Sequence, residues 1–235
     1  YLPSWTGSFP VIIAIHGWAF KLGSKTWNDI KSMFSWIQHG YAVVSIDYRL
    51  SGEAIFPAAI NDVQSAILWI KQNGKQYNLD TTKIVLWWDS AGWNLAALAG
   101  TKWNSQSGTN VQAVIDWFGP IYFSRMDDQF ISLGVTPKMW KTNMSSSPES
   151  QYIGKTIWTI EAEILVKEAS PETYITSDDP VFYIQHGSID TNIPYTQSEE
   201  FAIKLTEVLW KDKVVFEKLE WASHWWDQFD AEENL

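Results

Sequence analysis

The 235-residue chain has no cysteine. That excludes disulfides, thiolate zinc sites and a cysteine nucleophile, and leaves the compartment open. Basic residues are scarce as well: 17 Lys and Arg stand against 27 Asp and Glu, a net charge of −10. Such a balance repels phosphate backbones and anionic lipid heads, so nucleic acid is not expected as a partner. No run reaches the roughly 18 uninterrupted apolar residues of a membrane helix, so no membrane partner is expected and the chain reads as soluble. Histidines number four, at 16, 39, 186 and 224, and no two sit at metal-ligand spacing. "MDD" (126–128) reads as an exposed acidic turn rather than a cation site. Neither a metal nor a cofactor is expected. What the chain has in excess is tryptophan, 16 residues spread through loops as well as core patterns.

With 46% apolar and 19% charged residues, the composition is that of a globular chain long enough for a real core, and one domain over residues 1–235 is expected. "VIIAI" (11–15) and "YAVVSIDY" (41–48) are β-branched runs of the kind buried on both faces of a sheet. A polar segment with helical spacing, about 26–39, separates them. Residues 58–73 place Ile60, Val63, Ile67 and Ile70 on one face behind Pro57, an amphipathic helix with proline at its start. Then follow "KIVLW" as strand, 91–100 as helix, 111–119 and 181–187 as strands, 195–209 as helix with Thr196 and Glu199 at capping-box spacing, and "KVVFEKLE" as a last strand. Strands alternating with helices imply an α/β fold with a mostly parallel sheet covered on both faces. Ligands of such sheets sit beyond the carboxyl ends of the strands. The loops of interest are therefore 16–24, 88–92, 119–127, 186–194 and 220–226. Residues 120–175 show weak periodicity and no clear strand, and read as a lid-like insertion over the site.

"KIVLWWDSAGWNLAALAG" (83–100) is a strand, a sharp turn on Ser90 and a helix, the arrangement that presents a hydrolase nucleophile. Ala91 and Gly92 supply the small residues that let strand and helix pass closely. A serine hydroxyl needs a base, usually histidine, oriented by a carboxylate. On this fold the chain order is Ser, acid, His. "YIQHGSIDTNIP" places Asp190 in the loop after a strand, and "KVVFEKLEWASHWW" places His224 after the last one. His186, at a strand end ahead of any acid in its loop, reads as structural, and His39 as part of a turn. Asp178 and Asp179 are alternative acids, although "SDDP" reads better as a turn.

Acyl transfer also needs N–H donors aimed at a developing oxyanion. One is expected from the main chain of Ala91. Another is expected from Trp18 or Ala19 in "HGWAF" (16–20), directly after an early strand. The aromatics Trp117, Phe118, Tyr122 and Phe123 are candidates to line an aryl or sugar pocket, with core packing the expected role for at least half of them.

In order and spacing, "VIIAIHGWAF", "VVSIDYRLSGEAIFPAAINDVQSAILWI", "WDSAGWNLAAL", "AVIDWFGPIYFSRMD" and "HGSIDTNIPYTQSEEF…LEWASH" resemble the α/β-hydrolase-fold serine esterases of the hormone-sensitive-lipase-like group, above all the bacterial acetyl-xylan and feruloyl esterase-like branch. The resemblance implies a Ser90, Asp190, His224 triad, an oxyanion loop on His16 to Phe20, and no cofactor. It also implies earlier strands before Tyr1 and a final helix after Leu235. The implied substrate is a small-molecule or carbohydrate ester, with an extracellular location if that ester is a plant polysaccharide and a cytoplasmic one otherwise.

The family's glycines are where this sequence departs. Where the motifs read His-Gly-Gly, Gly-Asp-Ser-Ala-Gly-Gly and Gly-Ala-Gly-His-Gly, the chain has Trp18, Trp88, Trp93, Trp221 and Trp225. Repeated replacement by a single residue type points to a systematic cause, namely a codon read as tryptophan where the source organism reads glycine, since UGA has both meanings. If the indoles are physically present, overpacking at a close approach costs about 1–3 kcal/mol per site. Three functions follow: an esterase, an amidase or peptidase on the same triad, or a catalytically impaired binding protein on a hydrolase scaffold.

Overall fold

The computed structural model describes residues 1–26, 30, 33–103, 106–139, 141–224 and 229. In chain order it contains β1 (Phe9–Ile15), α1 (Ser35–Gln38), β2 (Ala42–Ile46), α2 (Ala58–Asn73), β3 (Leu79–Asp89), α3 (Ser90–Thr101), β4 (Ala113–Trp117), α4 (Met126–Leu133), α5 (Pro148–Ile153), α6 (Ile160–Glu168), β5 (Val181–Gly187), α7 (Thr196–Val208) and β6 (Val214–Leu219). The strands form one sheet in the order β2-β1-β3-β4-β5-β6, and every neighbouring pair is parallel. This is the expected α/β architecture. Strand β1, flanked by β2 and β3, is buried along nearly its whole length, as its unbroken apolar run requires.

β3 is longer than its apolar run. Leu79 and Asp80 at its start pair with Phe9 and Pro10 ahead of a register shift, so pairing extends the strand beyond the run from Ile84. α2 buries the expected Ile60, Val63, Ile67 and Ile70. α3 is buried on all sides, packing on β3 and β4 and against α2, which suits its Ala- and Leu-rich sequence. Of the helix expected over 26–39, Ser35–Gln38 forms α1, while 27–29 and 31–32 lie outside the described residues.

Two expectations are corrected. Thr196 and Glu199 do not form a capping box: α7 begins one residue earlier than that motif needs, with Tyr195 as the cap and no side-chain cap bond. Thr196 is already the first helical residue, so it does not occupy the cap position. "MDD" is not an exposed turn either. It opens α4, and buried Asp127 accepts hydrogen bonds from the main-chain N–H groups of Thr142 (2.8 Å) and Asn143 (3.0 Å). The segment between β4 and β5 holds three helices of 8, 6 and 9 residues, too short for a clear 3.6-residue period to emerge. Among the described residues no helix is long and apolar enough to cross a membrane.

Candidate active site

β3 ends in extended conformation at Asp89, and the next residue, Ser90, has φ +49° before α3 begins. A left-handed serine is strained by about 1–3 kcal/mol and persists only where the surroundings enforce it. Gly92 enforces it here. A Cβ at that position would lie 1.9 Å from the Ile15 carbonyl oxygen, so only glycine lets α3 start this close to β1. The Ser90 hydroxyl is thereby presented at the carboxyl edge of the sheet.

Asp190 and His224 arrive on neighbouring loops after β5 and β6. These loops are stitched together: the Ile189 N–H donates to the Ala222 carbonyl (3.1 Å), and the Trp221 N–H donates to Ser188 Oγ (2.9 Å). Gly187 makes the approach possible, because a Cβ there would fall 2.3 Å from the Ala222 oxygen. His224 Nδ1 then lies 2.6 Å from Asp190 Oδ2. The other Asp190 oxygen accepts from the main-chain N–H groups of Asn192 (2.7 Å) and Ile193 (3.0 Å). Burial alone would push this carboxyl up. The charge and hydrogen bonds of His224 and His186 more than reverse it, holding Asp190 well below the usual carboxylate range.

His186 is the structural histidine that the sequence suggests, but its partners were not legible there. Fully buried, its Nε2 lies 3.1 Å from the Ile193 carbonyl and 3.3 Å from Asp190 Oδ2. Both are acceptors, so Nε2 carries the hydrogen. Its Nδ1 lies 2.8 Å from the Ser198 hydroxyl. Ser198 Oγ is in turn 3.4 Å from Asp116 Oδ2. Burial pushes the Asp116 carboxyl well up, against smaller opposing contributions from the Gly119 N–H and Ser198. A buried polar chain from β4 through α7 and β5 thus backs Asp190.

Ser90, Ala91 and His224 open on one cleft of about 480 Å³ counted to its mouth. Trp18, Ala19 and Phe20 line it as well, and all three are left-handed, with φ of +68°, +60° and +59°. Tyr48 pins the start of that loop by donating to the carbonyls of His16 (2.8 Å) and Gly17 (3.2 Å). All five loops singled out from the sequence contribute to the cleft, and the β4–β5 segment adds Met139 and Glu149. Among the described residues Trp117, Phe118, Tyr122 and Phe123 do not line it. They pack behind it: Phe118 lies against the His224 ring at 4.5 Å and Phe123 edge-on to Phe20. Asp178 and Asp179 form a turn before β5, as the sequence suggests, with Asp179 accepting from the Thr176 N–H at 3.0 Å.

A wholly parallel sheet, a serine on a left-handed turn between β3 and a buried helix, and an Asp–His pair on the loops after the last two strands define an α/β-hydrolase. The BD-FAE family model matches residues 1–205, and the chain belongs to that family. It is 28% identical over 232 residues to the probable carboxylic ester hydrolase LipM of Mycobacterium tuberculosis, a match covering 94% of this chain and 50% of LipM. Among solved structures, a truncated carbohydrate esterase from gut microbiota superposes with a TM-score of 0.82 at 29% identity, covering 95% of this chain and 82% of that one. A bifunctional GH43-CE protein of Bacteroides eggerthii gives 0.80 at 31% identity, covering 95% of this chain and 33% of its own. The chain spans about half the length of the curated relatives it matches.

Proposed function

We propose that the chain is a serine carboxylic-ester hydrolase acting through an acyl-enzyme on short-chain acyl or carbohydrate esters, acetyl or feruloyl. Ser90 Oγ attacks the ester carbonyl while His224 Nε2 takes its proton. The tetrahedral intermediate collapses as His224 returns that proton to the departing alcohol, and water, activated by the same ring, releases the acid. Asp190 holds the ring in the tautomer that leaves Nε2 free to accept. Main-chain N–H groups of Ala91 and of Trp18 or Ala19 receive the oxyanion.

The observation that carries this reading is the opening of left-handed Ser90 and Asp190-bound His224 on one cleft. Similarity to the probable carboxylic ester hydrolase LipM and to the gut carbohydrate esterase supports the same chemistry. The test is hydrolysis of p-nitrophenyl acetate beside an aryl amide of the same acyl group. Ester turnover that vanishes in Ser90→Ala is the expected result. Turnover of the amide alone would move the assignment to an amidase, and ester turnover undiminished in Ser90→Ala would remove Ser90 from the chemistry.

A further inference from the structure

Fully buried His186 has no place in the chemistry proposed above, and it does not line the cleft. It nevertheless reaches the carboxylate that serves His224. Asp190 Oδ2, the oxygen 2.6 Å from His224 Nδ1, also lies 3.3 Å from His186 Nε2. The hydrogen on that nitrogen is forked between Oδ2 and the Ile193 carbonyl at 3.1 Å. Asp190 Oδ1 takes the N–H groups of Asn192 and Ile193. A carboxylate has about four acceptor positions, and these donors fill them. His186 is itself held from two sides. It stands on β5, between β4 and β6, and its Nδ1 is 2.8 Å from the Ser198 hydroxyl of α7. Regular elements thus fix this ring, whereas Asp190 and His224 both sit in loops. A strand is the more precise reference for a reacting geometry.

We propose that His186 is a positioning residue for the reaction: by donating to the same oxygen that His224 uses, it keeps Asp190 an oriented carboxylate while the His224 imidazolium forms and decays. This rests on the esterase reading above. Burial disfavours the charge on Asp190, and each donor taken from it weakens its hold on that charge. Without the His186 donor, the proton between His224 Nδ1 and Oδ2 is drawn further toward the carboxylate. The imidazolium made when Ser90 gives up its proton is then less well stabilised. Neither His186 nor Asp190 lines the cleft, so the loss falls on kcat rather than KM. A hydrogen bond to a buried charge is worth about 10–100-fold in such a step.

The experiment measures kcat and KM for p-nitrophenyl acetate, per active site counted by fluorophosphonate titration, in His186→Leu and His186→Gln, each alone and combined with Asp190→Asn. His186→Leu fills the space without a donor, and should lower kcat about 10–100-fold with KM within about twofold. His186→Gln, whose amide nitrogen reaches the place of Nε2, should recover most of that loss. In the Asp190→Asn background His186→Leu should cost no more than about two- to threefold, because the ring acts through the carboxylate. If His186→Leu does not fold, Ser198→Ala carries the comparison: it releases the other ring nitrogen, and its smaller loss in kcat should likewise fade in Asp190→Asn. Native kcat in folded, titratable variants overturns the positioning role and leaves the esterase standing. So do losses that multiply in full across the two sites, a loss confined to KM, or a folded His186→Gln no better than His186→Leu. A native chain that neither hydrolyses the ester nor takes up the fluorophosphonate overturns the esterase reading and the positioning role together.

Discussion

His224 Nδ1 and Asp190 Oδ2 meet at 2.6 Å across 34 positions of sequence, and both side chains are almost wholly buried. A carboxylate enclosed in this way stays ionised only because His224 and His186 both face it. The pair is therefore an electrostatic unit as well as an orienting one.

Asp190→Asn should lower kcat by about 10³–10⁴-fold while leaving the cleft intact, because an amide does not fix the required imidazole tautomer. Stability should respond to pH in a defined direction. Since folding depresses the Asp190 pKa, its contribution is present above the ordinary carboxylate value near 4 and is lost as pH falls through and below it. Urea denaturation of both proteins from pH 6 to pH 2 should show the native chain's advantage over Asp190→Asn shrinking toward acid. An advantage that grows toward acid would contradict this.

Asp116 should behave oppositely. Burial raises its pKa, so the folded state keeps the proton to higher pH than the unfolded state does, and stability is lost as pH rises above the ordinary carboxylate range. Asp116→Asn keeps an oxygen for the Gly119 N–H and removes the titration. It should raise Tm at pH 7 by about 2–4 °C, the effect of roughly 1 kcal/mol in a domain of this size, with the gap closing near pH 3. Thermal scans at the two pH values check it.

Tyr48→Phe removes the donor shared by the His16 and Gly17 carbonyls at the base of the 16–20 loop. Stranding buried acceptors costs about 1–3 kcal/mol, to be read from the urea midpoint. Turnover should fall with it, because the loop's main-chain donors lose their anchor. A variant with unchanged stability and kcat/KM would show that the loop is held by other contacts.

Tryptophans in this chain divide by how they are satisfied. Trp117 donates its indole N–H to Gln185 Oε1 at 2.8 Å. The buried indole N–H groups of Trp88 and Trp93 have no acceptor among the described residues, and neither do those of Trp36 and Trp87, so this feature is not confined to the glycine-motif positions. Trp18 and Trp221 sit at φ +68° and +64°, a region glycine adopts freely and other residues enter at about 1–2 kcal/mol. Trp225 lies outside the described residues. Trp18→Gly and Trp221→Gly should therefore be neutral or stabilising by up to about 1 kcal/mol, and Trp18→Gly should widen the cleft and raise kcat/KM. The codons at positions 18, 88 and 93 should differ from those at 69 and 117. The same codon in both groups would end the reassignment explanation.

Much of this site was legible in the sequence because its signals are local. The strand-turn-helix run around Ser90, the loop positions of Asp190 and His224, and the apolar face of α2 all follow from short-range pattern. Ser198 and Asp116 were not legible, since a helix serine and a strand aspartate acquire a role only when the sheet order brings β4, β5 and α7 together. Glu149 lay in a stretch whose helices are too short to show a period. The four aromatics of 117–123 were ambiguous for a related reason: periodicity marks a residue as buried without saying which side of a loop it supports.

The most direct test of Ser90 as the nucleophile is mass spectrometry of the intact chain after brief exposure to a fluorophosphonate, followed by peptide mapping. A single adduct on Ser90 is expected, absent in Ser90→Ala and forming much more slowly in His224→Ala. An adduct on another residue, or none on a folded chain, would contradict it.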